Sequence, residues 1–316
     1  MERGLLYSIM LLLLLAPVLL FIFSYSNTAS QKNAQLVSHI RGSEMASFSS
    51  SVTQDVPRVL EIAGKRAIVS AINYIDINGV PLDDAELRIR ELMVNNSLYG
   101  GHQPAMDGAS VADWTVNLAA LGAQRGFNVT VNITGVRITP KDAFTLNMTA
   151  YLQVNITDTV QPVNITRTYY DYKDIPISGF EDPLYVLNSQ GFIKRAFTVN
   201  KSSAFGTAAF DNFASKAWYV PSSTGPSFLD RLEGKFYAQS KYSSQTPALI
   251  GLDSMVNITE FEIRGLPVRH NQSTLDYHFF NSTTIYGYKI TGSSLPLQRL
   301  ANGTNASYGV YLDLSS

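Results

Sequence analysis

No cysteine occurs in the 316 residues, which removes disulfides, thiolate metal centres and cysteine nucleophiles together. Charge is scarce as well: Lys, Arg, Asp and Glu make up 16% of the chain and nearly cancel, leaving a formal net charge of −1. Without a run of like charges the basic stripe of a nucleic-acid binder is missing, and no nucleic-acid partner is expected. The four histidines, His39, His102, His270 and His278, are scattered, and none has a second histidine at a ligand spacing such as His-x-x-x-His. There is no G-x-S-x-G elbow, no phosphate-binding glycine loop and no dinucleotide fingerprint. The chain is therefore read as a non-enzyme, with no catalytic, cofactor-binding or metal-binding residue.

What the chain has instead is neutral polarity. Twelve N-x-S/T sequons place acceptors at Asn95, Asn128, Asn132, Asn147, Asn155, Asn164, Asn200, Asn257, Asn271, Asn281, Asn302 and Asn305. With 20 Asn, and Ser plus Thr at roughly a fifth of the residues, random placement gives about four, so the excess is a signal. A sequon becomes a glycosylation site only in a protein that crosses a membrane. Animal and plant ectodomains of this size usually carry disulfides; many sequons with no cysteine point to an archaeal cell surface, with a bacterial envelope second.

Leu5 to Phe23, LLYSIMLLLLLAPVLLFIF, is 19 residues without a charge. At about 1.5 Å per residue it spans roughly 28 Å, close to the hydrocarbon thickness of a bilayer. That is longer than the usual apolar region of a cleaved signal peptide, and Pro17 is tolerable in a transmembrane helix. An uncleaved single-pass anchor is expected, with the lipid bilayer as its partner. Flanking charge orients it weakly, Arg3 against Glu2 before the span and Lys32 and Arg41 after it. All sequons follow the span, which puts the amino terminus in the cytoplasm and the carboxy-terminal domain outside the cell membrane.

Met1-Glu-Arg-Gly4 ahead of this apolar run resembles the leader of type IV pilin-like proteins. In that family a peptidase cuts after a basic-Gly or basic-Ala pair, just before the hydrophobic helix. The resemblance implies Arg3 and Gly4 as leader-processing residues, Leu5 as the new amino terminus, and sister pilin-like subunits as partners. It departs from the major pilins at the fifth mature position, where Ile9 replaces their usual Glu; some minor, tip-type pilins lack that Glu too.

Downstream, the pattern is α+β. Residues 24–79 read as a helical stalk, through Leu36, Val37, Ile40, Met45, Phe48 and Val52 and then Val59, Ile62, Ala63, Ala67, Ile68, Ala71, Ile72 and Ile75. Ser47 to Thr53 is a soft spot, Pro57 predicts a break or kink, and Asn78-Gly79 a stop. Residues 80–125 hold two short helices. One is capped by Asp83 with Glu86 closing a capping box; the other by Ser110, with Asp113 in its first turn and Gly126 past its end. From residue 126 to 316 a β-rich extracytoplasmic domain is expected. Asn128–Thr134, Thr145–Thr157 and Val163–Tyr169 alternate with period two, as an antiparallel meander packed on the helices. A sequon spans one strand period, so Asn128, Asn132, Asn147, Asn155 and Asn164 share the wet face of their strands. Arg195–Lys201, Thr274–Phe280, Thr283–Thr291 and Tyr308–Leu314 also read as strands. Ser227 caps a helix over FLDRLEG, VPSSTGP reads as a linker, and Leu249–Ile263 stays open between helix and strand.

Candidate chemistry is thin. Asp276 and His278 lie two apart on an expected strand, where a surface hydrogen bond is the ordinary reading. Asp171, Asp174, Glu181 and Asp182 cluster around a Gly/Pro turn, but their spacing matches no calcium loop. The 17 tyrosines and two tryptophans offer a sugar- or partner-binding surface, or simply core. The stretches ISGFEDPLYVL, GLDSMVNITEFEIRG and DYHFF stand out without an attached chemistry.

As a whole the chain resembles membrane-anchored archaeal surface proteins of the pilin-like kind. The expectation is an N-glycosylated structural or assembly protein of the cell surface, a minor pilin-like subunit. The alternatives are a tethered ligand-binding or adhesion ectodomain and, third, a tethered hydrolase. Contact surfaces are expected on the helical side or in the sequon-poor region 204–249.

Overall fold

The computed structural model describes residues 2–200, 205–244 and 250–315, with the backbone alone for residues 2–6, 29 and 30. The leader residues Arg3, Gly4 and Leu5 therefore lie outside the described side chains. The chain is α+β, with a long apolar amino-terminal helix and antiparallel sheets.

That helix, α1 (Glu2–Asn78), is one continuous element of 77 residues. The expected soft spot stays helical, with the Ser51 and Thr53 hydroxyls satisfied locally on the carbonyls of Ser47 and Ser49, each at 3.1 Å. The expected break at Pro57 does not occur either. Val52, Val56, Leu60 and Ala63, spaced along one face, are all buried, and this packing holds the helix through the residue that lacks an N–H. Gly79, at φ +66°, ends it with its N–H on the Ile75 carbonyl at 2.8 Å.

Helix α2 (Ala85–Asn95) starts one residue later than the sequence suggests. Asp84, in extended backbone, accepts the Leu87 N–H at 2.9 Å. Asp83 instead binds the Arg88 guanidinium at 2.8 Å, so Glu86 closes no capping box with it. The short strands β1 (Ser97–Leu98) and β2 (Gly101–His102) follow. Ser110 opens α3 (Val111–Gln124) as expected: its hydroxyl accepts from Asp113 N–H at 3.0 Å, and the Asp113 carboxylate accepts the Ser110 N–H at 3.3 Å.

Strands β3 (Phe127–Asp142), β4 (Thr145–Asp158) and β5 (Asn164–Pro176) form a sheet in that order. Only antiparallel strands can be joined through the two residues between β3 and β4. On β4 the expected inner row, Leu146 through Ile156, is buried. Its outer row pairs with β5 at even intervals of four residues: Asn147 Nδ2 to Asp174 at 2.9 Å, the rings of Tyr151 and Tyr170 at 4.9 Å, and Thr166 Oγ1 to Asn155 Oδ1 at 3.0 Å. On β3 the alternation slips. Phe127 and Val129 are buried, but past Gly135 the buried residues are Val136, Ile138 and Pro140. An extra residue in the strand, as in a bulge, produces such a change of parity.

The chain divides into two compact units. The first comprises residues 1–54, 118–132 and 153–168, and the second 55–117, 133–152 and 169–316. In the first, Phe48 of α1 meets Phe127 of β3 with ring centroids 5.9 Å apart. Arg41 binds Asp158 at 2.6 Å and the carbonyls of Arg125 and Gly126 at 3.1 and 3.2 Å. In the second, the β4 and β5 side chains Met148 and Ile175 crowd Gly64 of α1 so closely that a Cβ there would stand 2.1 Å from the Met148 sulfur.

Beyond Pro176 the second unit is mixed rather than β-rich. Its helices α4 (Pro183–Asn188), α5 (Thr207–Ser215), α6 (Phe228–Leu232), α7 (Ser240–Ser243), α8 (Ile258–Ile263), α9 (Asp276–Phe280) and α10 (Asn305–Tyr308) are all short. The strands between them are β6 (Thr198–Val199), β7 (Trp218–Ser222), β8 (Gly251–Ser254), β9 (Gly287–Ile290), β10 (Arg299–Ala301) and β11 (Leu312–Asp313), in two sheets ordered β6-β7-β8 and β10-β9-β11. Several strand expectations shrink accordingly. Arg195–Lys201 keeps Thr198–Val199, with residue 201 outside the described set, Thr283–Thr291 keeps Gly287–Ile290, and Tyr308–Leu314 keeps Leu312–Asp313. Thr274–Phe280 is overturned, since Asp276–Phe280 is helical: a five-residue apolar run does not reveal its period. Leu249–Ile263 holds both β8 and α8, the latter capped by Asn257, with residue 249 outside the described set. VPSSTGP is no linker, because Val220–Ser222 belongs to β7 and Gly225, Pro226 and Ser227 are buried.

Candidate functional site

The three stretches singled out above meet inside the second unit, around one arginine. Ser227 caps α6 by a reciprocal box with Asp230, and the helix so started carries Arg231 into the interior. Arg231 Nη1 donates to Asp182 Oδ2 at 2.6 Å, and Nη2 to Asp276 Oδ2 at 2.9 Å and to the Leu252 carbonyl at 2.7 Å. Asp182 caps α4, accepting the Leu184 N–H at 3.0 Å, and also takes the Tyr219 hydroxyl at 2.6 Å. Asp276 also accepts Ser254 Oγ at 3.0 Å, and that hydroxyl meets Tyr185 OH at 3.0 Å. Arg195 joins through the Tyr185 hydroxyl and the Met255 carbonyl, the latter at 2.6 Å, with its guanidinium over the Tyr185 ring at 4.9 Å.

All of this is closed to solvent: the side chains of Asp182, Arg231 and Asp276 are 0% exposed. Burial, and then the neighbouring Asp276 carboxylate, push the Asp182 carboxyl up, and the Arg231 guanidinium, the Tyr219 hydroxyl and the Leu184 amide oppose them. Two guanidiniums face two carboxylates, so the centre is close to neutral. A substrate has no path to it, and it acts as an internal clamp tying α4, α6, β8 and α9 together.

Asp253, next in β8, accepts the Tyr308 hydroxyl at 2.5 Å, and burial pushes its carboxyl up to about 8. Its unfolded value is about 3.9. The native state thus holds this proton more tightly, so its stability contribution is full below about pH 4 and declines as pH rises to about 8. Asp253→Asn keeps an acceptor for Tyr308 and removes the titration. Its gain over the parent should be near zero at pH 4 and about 4 kcal/mol at pH 7 in urea unfolding. A gain equal at both pH values would refute the assignment.

The surface feature with chemical character is an open groove of about 850 Å³ in the second unit, between α2 and the strands β3 and β4. Arg90 and Asn95 come from α2, Thr134 and Arg137 from β3, and Tyr151 from β4. The parity slip at Gly135 decides what Arg137 does: in the register of Val129 it would face inward, and past the slip it is exposed. Among the described residues, neither Arg90 nor Arg137 has an ion-pair or hydrogen-bond partner. Glu91, which also lines the groove, is paired with neither of them. Its oxygens are taken by the Gly100 N–H at 2.7 Å, Ser97 Oγ at 3.1 Å, Arg88 at 2.8 Å and the Tyr99 N–H at 3.2 Å. Tyr151 is 40% exposed and rests against Tyr170.

The expected site residues scatter. Asp276 and His278 share no strand face; Asp276 binds Arg231, and His278 lies against the Tyr277 ring at 4.1 Å. The acidic set disperses too: Asp174 binds Lys141 and Asn147, Glu181 approaches Lys194 at 3.9 Å, Asp171 accepts the Tyr172 N–H at 2.8 Å, and Asp182 is in the clamp. Among the described residues no group of three or more His, Asp or Glu is placed to hold a metal ion. None of the twelve sequon asparagines is buried. Those on β3, β4 and β5 lie on the solvent side of their strands, and Thr149 donates to Asn147 Oδ1 within its own sequon at 2.9 Å. Arg231, Arg195, Arg90 and Arg137 belong to no sequence motif, and nothing local marks them out. Compared with known proteins, the chain matches no family model, no curated protein and no solved structure.

Proposed function

We propose that the chain is a membrane-anchored structural or assembly protein of the cell surface, glycosylated on its exposed asparagines and displayed outside the cell. One observation carries this. Within a single helix, every side chain from Tyr7 to Thr28 is exposed, while Ala63, Ala67, Ile68, Ala71 and Ile75 are at 0%. An apolar rod of this kind requires either lipid or sister helices to cover it. Its far end is already core, so whatever holds the apolar end holds the folded part directly. No catalytic group is needed for that role, and the centre richest in ionisable groups is sealed.

Protein made in its own host provides the test, by membrane fractionation, terminal sequencing and intact mass. Leu13→Asp, at the middle of the apolar run, costs about 2.5–3.5 kcal/mol of insertion and should move much of the protein out of the membrane fraction. A mature terminus at Leu5 assigns the pilin-like route, and Met1 retained assigns a plain anchor. A parent protein that stays soluble at the mass of the bare polypeptide would overturn the proposal.

A further inference from the structure

We infer that the α2–β3–β4 groove is a binding site for a carboxylate-bearing saccharide, such as a chain containing uronic acid residues. Two guanidiniums without a protein partner are the starting point. Arg90 and Arg137 line the same groove from different elements, and the nearby carboxylate of Glu91 is saturated by its own hydrogen bonds. The groove lining therefore sets two unpaired guanidiniums against one carboxylate already committed to Arg88, a formal excess of one positive charge. A guanidinium is a planar fork of donors that matches a carboxylate in a bidentate pair.

The rest of the lining selects among anions. Tyr151 presents a partly exposed ring, fixed by its contact with Tyr170 at 4.9 Å, and the apolar face of a pyranose packs flat on such a surface. Thr134 Oγ1, held on the Tyr151 carbonyl at 3.0 Å, offers its remaining lone pair to a sugar hydroxyl. The groove is open rather than enclosed, as a polymer passing through it requires. Asn95, a sequon acceptor, sits on its wall. The saccharide thus has two sources of one chemistry, the protein's own chain on Asn95 or a separate surface polymer. Choosing a sugar among carboxylates rests on the surface location proposed above; the affinity for a carboxylate does not.

The test uses the full chain, made without glycosylation and held in lipid nanodiscs, titrated with hexagalacturonate, maltohexaose and hexaglutamate by calorimetry. Hexagalacturonate should bind, weakening about tenfold on Arg90→Gln or Arg137→Gln and as salt rises, and again on Tyr151→Leu. Maltohexaose should not bind measurably. No binding of hexagalacturonate, or binding indifferent to both arginines, overturns the site; equal binding of hexaglutamate overturns the saccharide class. None of these readouts depends on anchoring or assembly, so they fail separately from the proposal above. Host-made protein then separates the sources. Binding that appears only after Asn95→Gln names the protein's own glycan as occupant, and binding without that change names a separate polymer.

Discussion

Arg231→Met should lower the unfolding free energy by about 3–5 kcal/mol, measured by urea titration of the full chain in micelles. The loss comes from what is left behind. Asp182 and Asp276 both lie at 0% exposure, and without the guanidinium one or both must take up a proton or stay charged in a low-dielectric interior. The backbone loses as well, because Arg231 Nη2 is the donor to the Leu252 carbonyl. Methionine fills similar volume, so the effect is electrostatic rather than a cavity. The compensating variant makes this checkable: Arg231→Met with Asp182→Asn removes one charge of each sign, leaves Arg195 facing Asp276, and should recover part of the loss. A single variant as stable as the parent would show that the clamp contributes nothing net.

Gly251→Ala should be at least as damaging, by about 4 kcal/mol or more, through sterics alone. A Cβ at residue 251 would lie 1.7 Å from the Gly225 carbonyl oxygen and 2.3 Å from its carbon. These are main-chain atoms, and no rotamer can relieve them. Moving either segment would strain the Leu252 N–H bond to the Pro226 carbonyl, 3.0 Å, on the same residue whose carbonyl Arg231 holds. Gly42→Ala is the control, with nothing within 4 Å of its added Cβ in the middle of a helix, and it should be neutral to slightly stabilising. Protease resistance and urea midpoints of the two variants should therefore move in different directions. If both glycines tolerate alanine alike, the close approach of the two chain segments is not real.

These expectations show where the amino-acid pattern was legible. The apolar helix, the meander and the Ser110 and Ser227 caps were readable because each depends on neighbours in sequence: periodicity, alternation, or a hydroxyl three residues from an amide. Asp84 displaced Asp83 as cap because two adjacent aspartates offer the same signal, and backbone geometry chooses. The helical DYHFF was unreadable for a related reason, since five residues fit either period. The clamp was half visible. Its acidic stretches stood out, but the partner that organises them, Arg231, lies 49 residues from Asp182 and 45 from Asp276, and no local pattern reports such a pairing. Arg137 was hidden more thoroughly, because its side of the sheet depends on the slip at Gly135, which alternation arguments assume away.

The unbroken course of α1 has a mechanical side. The helix passes from the first compact unit to the second between Gln54 and Asp55, beside Pro57. A proline there leaves the Thr53 carbonyl without its usual backbone donor, and the hydroxyls of Ser51 and Thr53 already share the carbonyls just before it. A rod bends at its softest cross-section, so compliance in α1 is greatest around Pro57. Along α1 itself, axial pull is carried by an unbroken backbone, while bending is taken up near Pro57, ahead of the buried face of Ala63, Ala67 and Ala71.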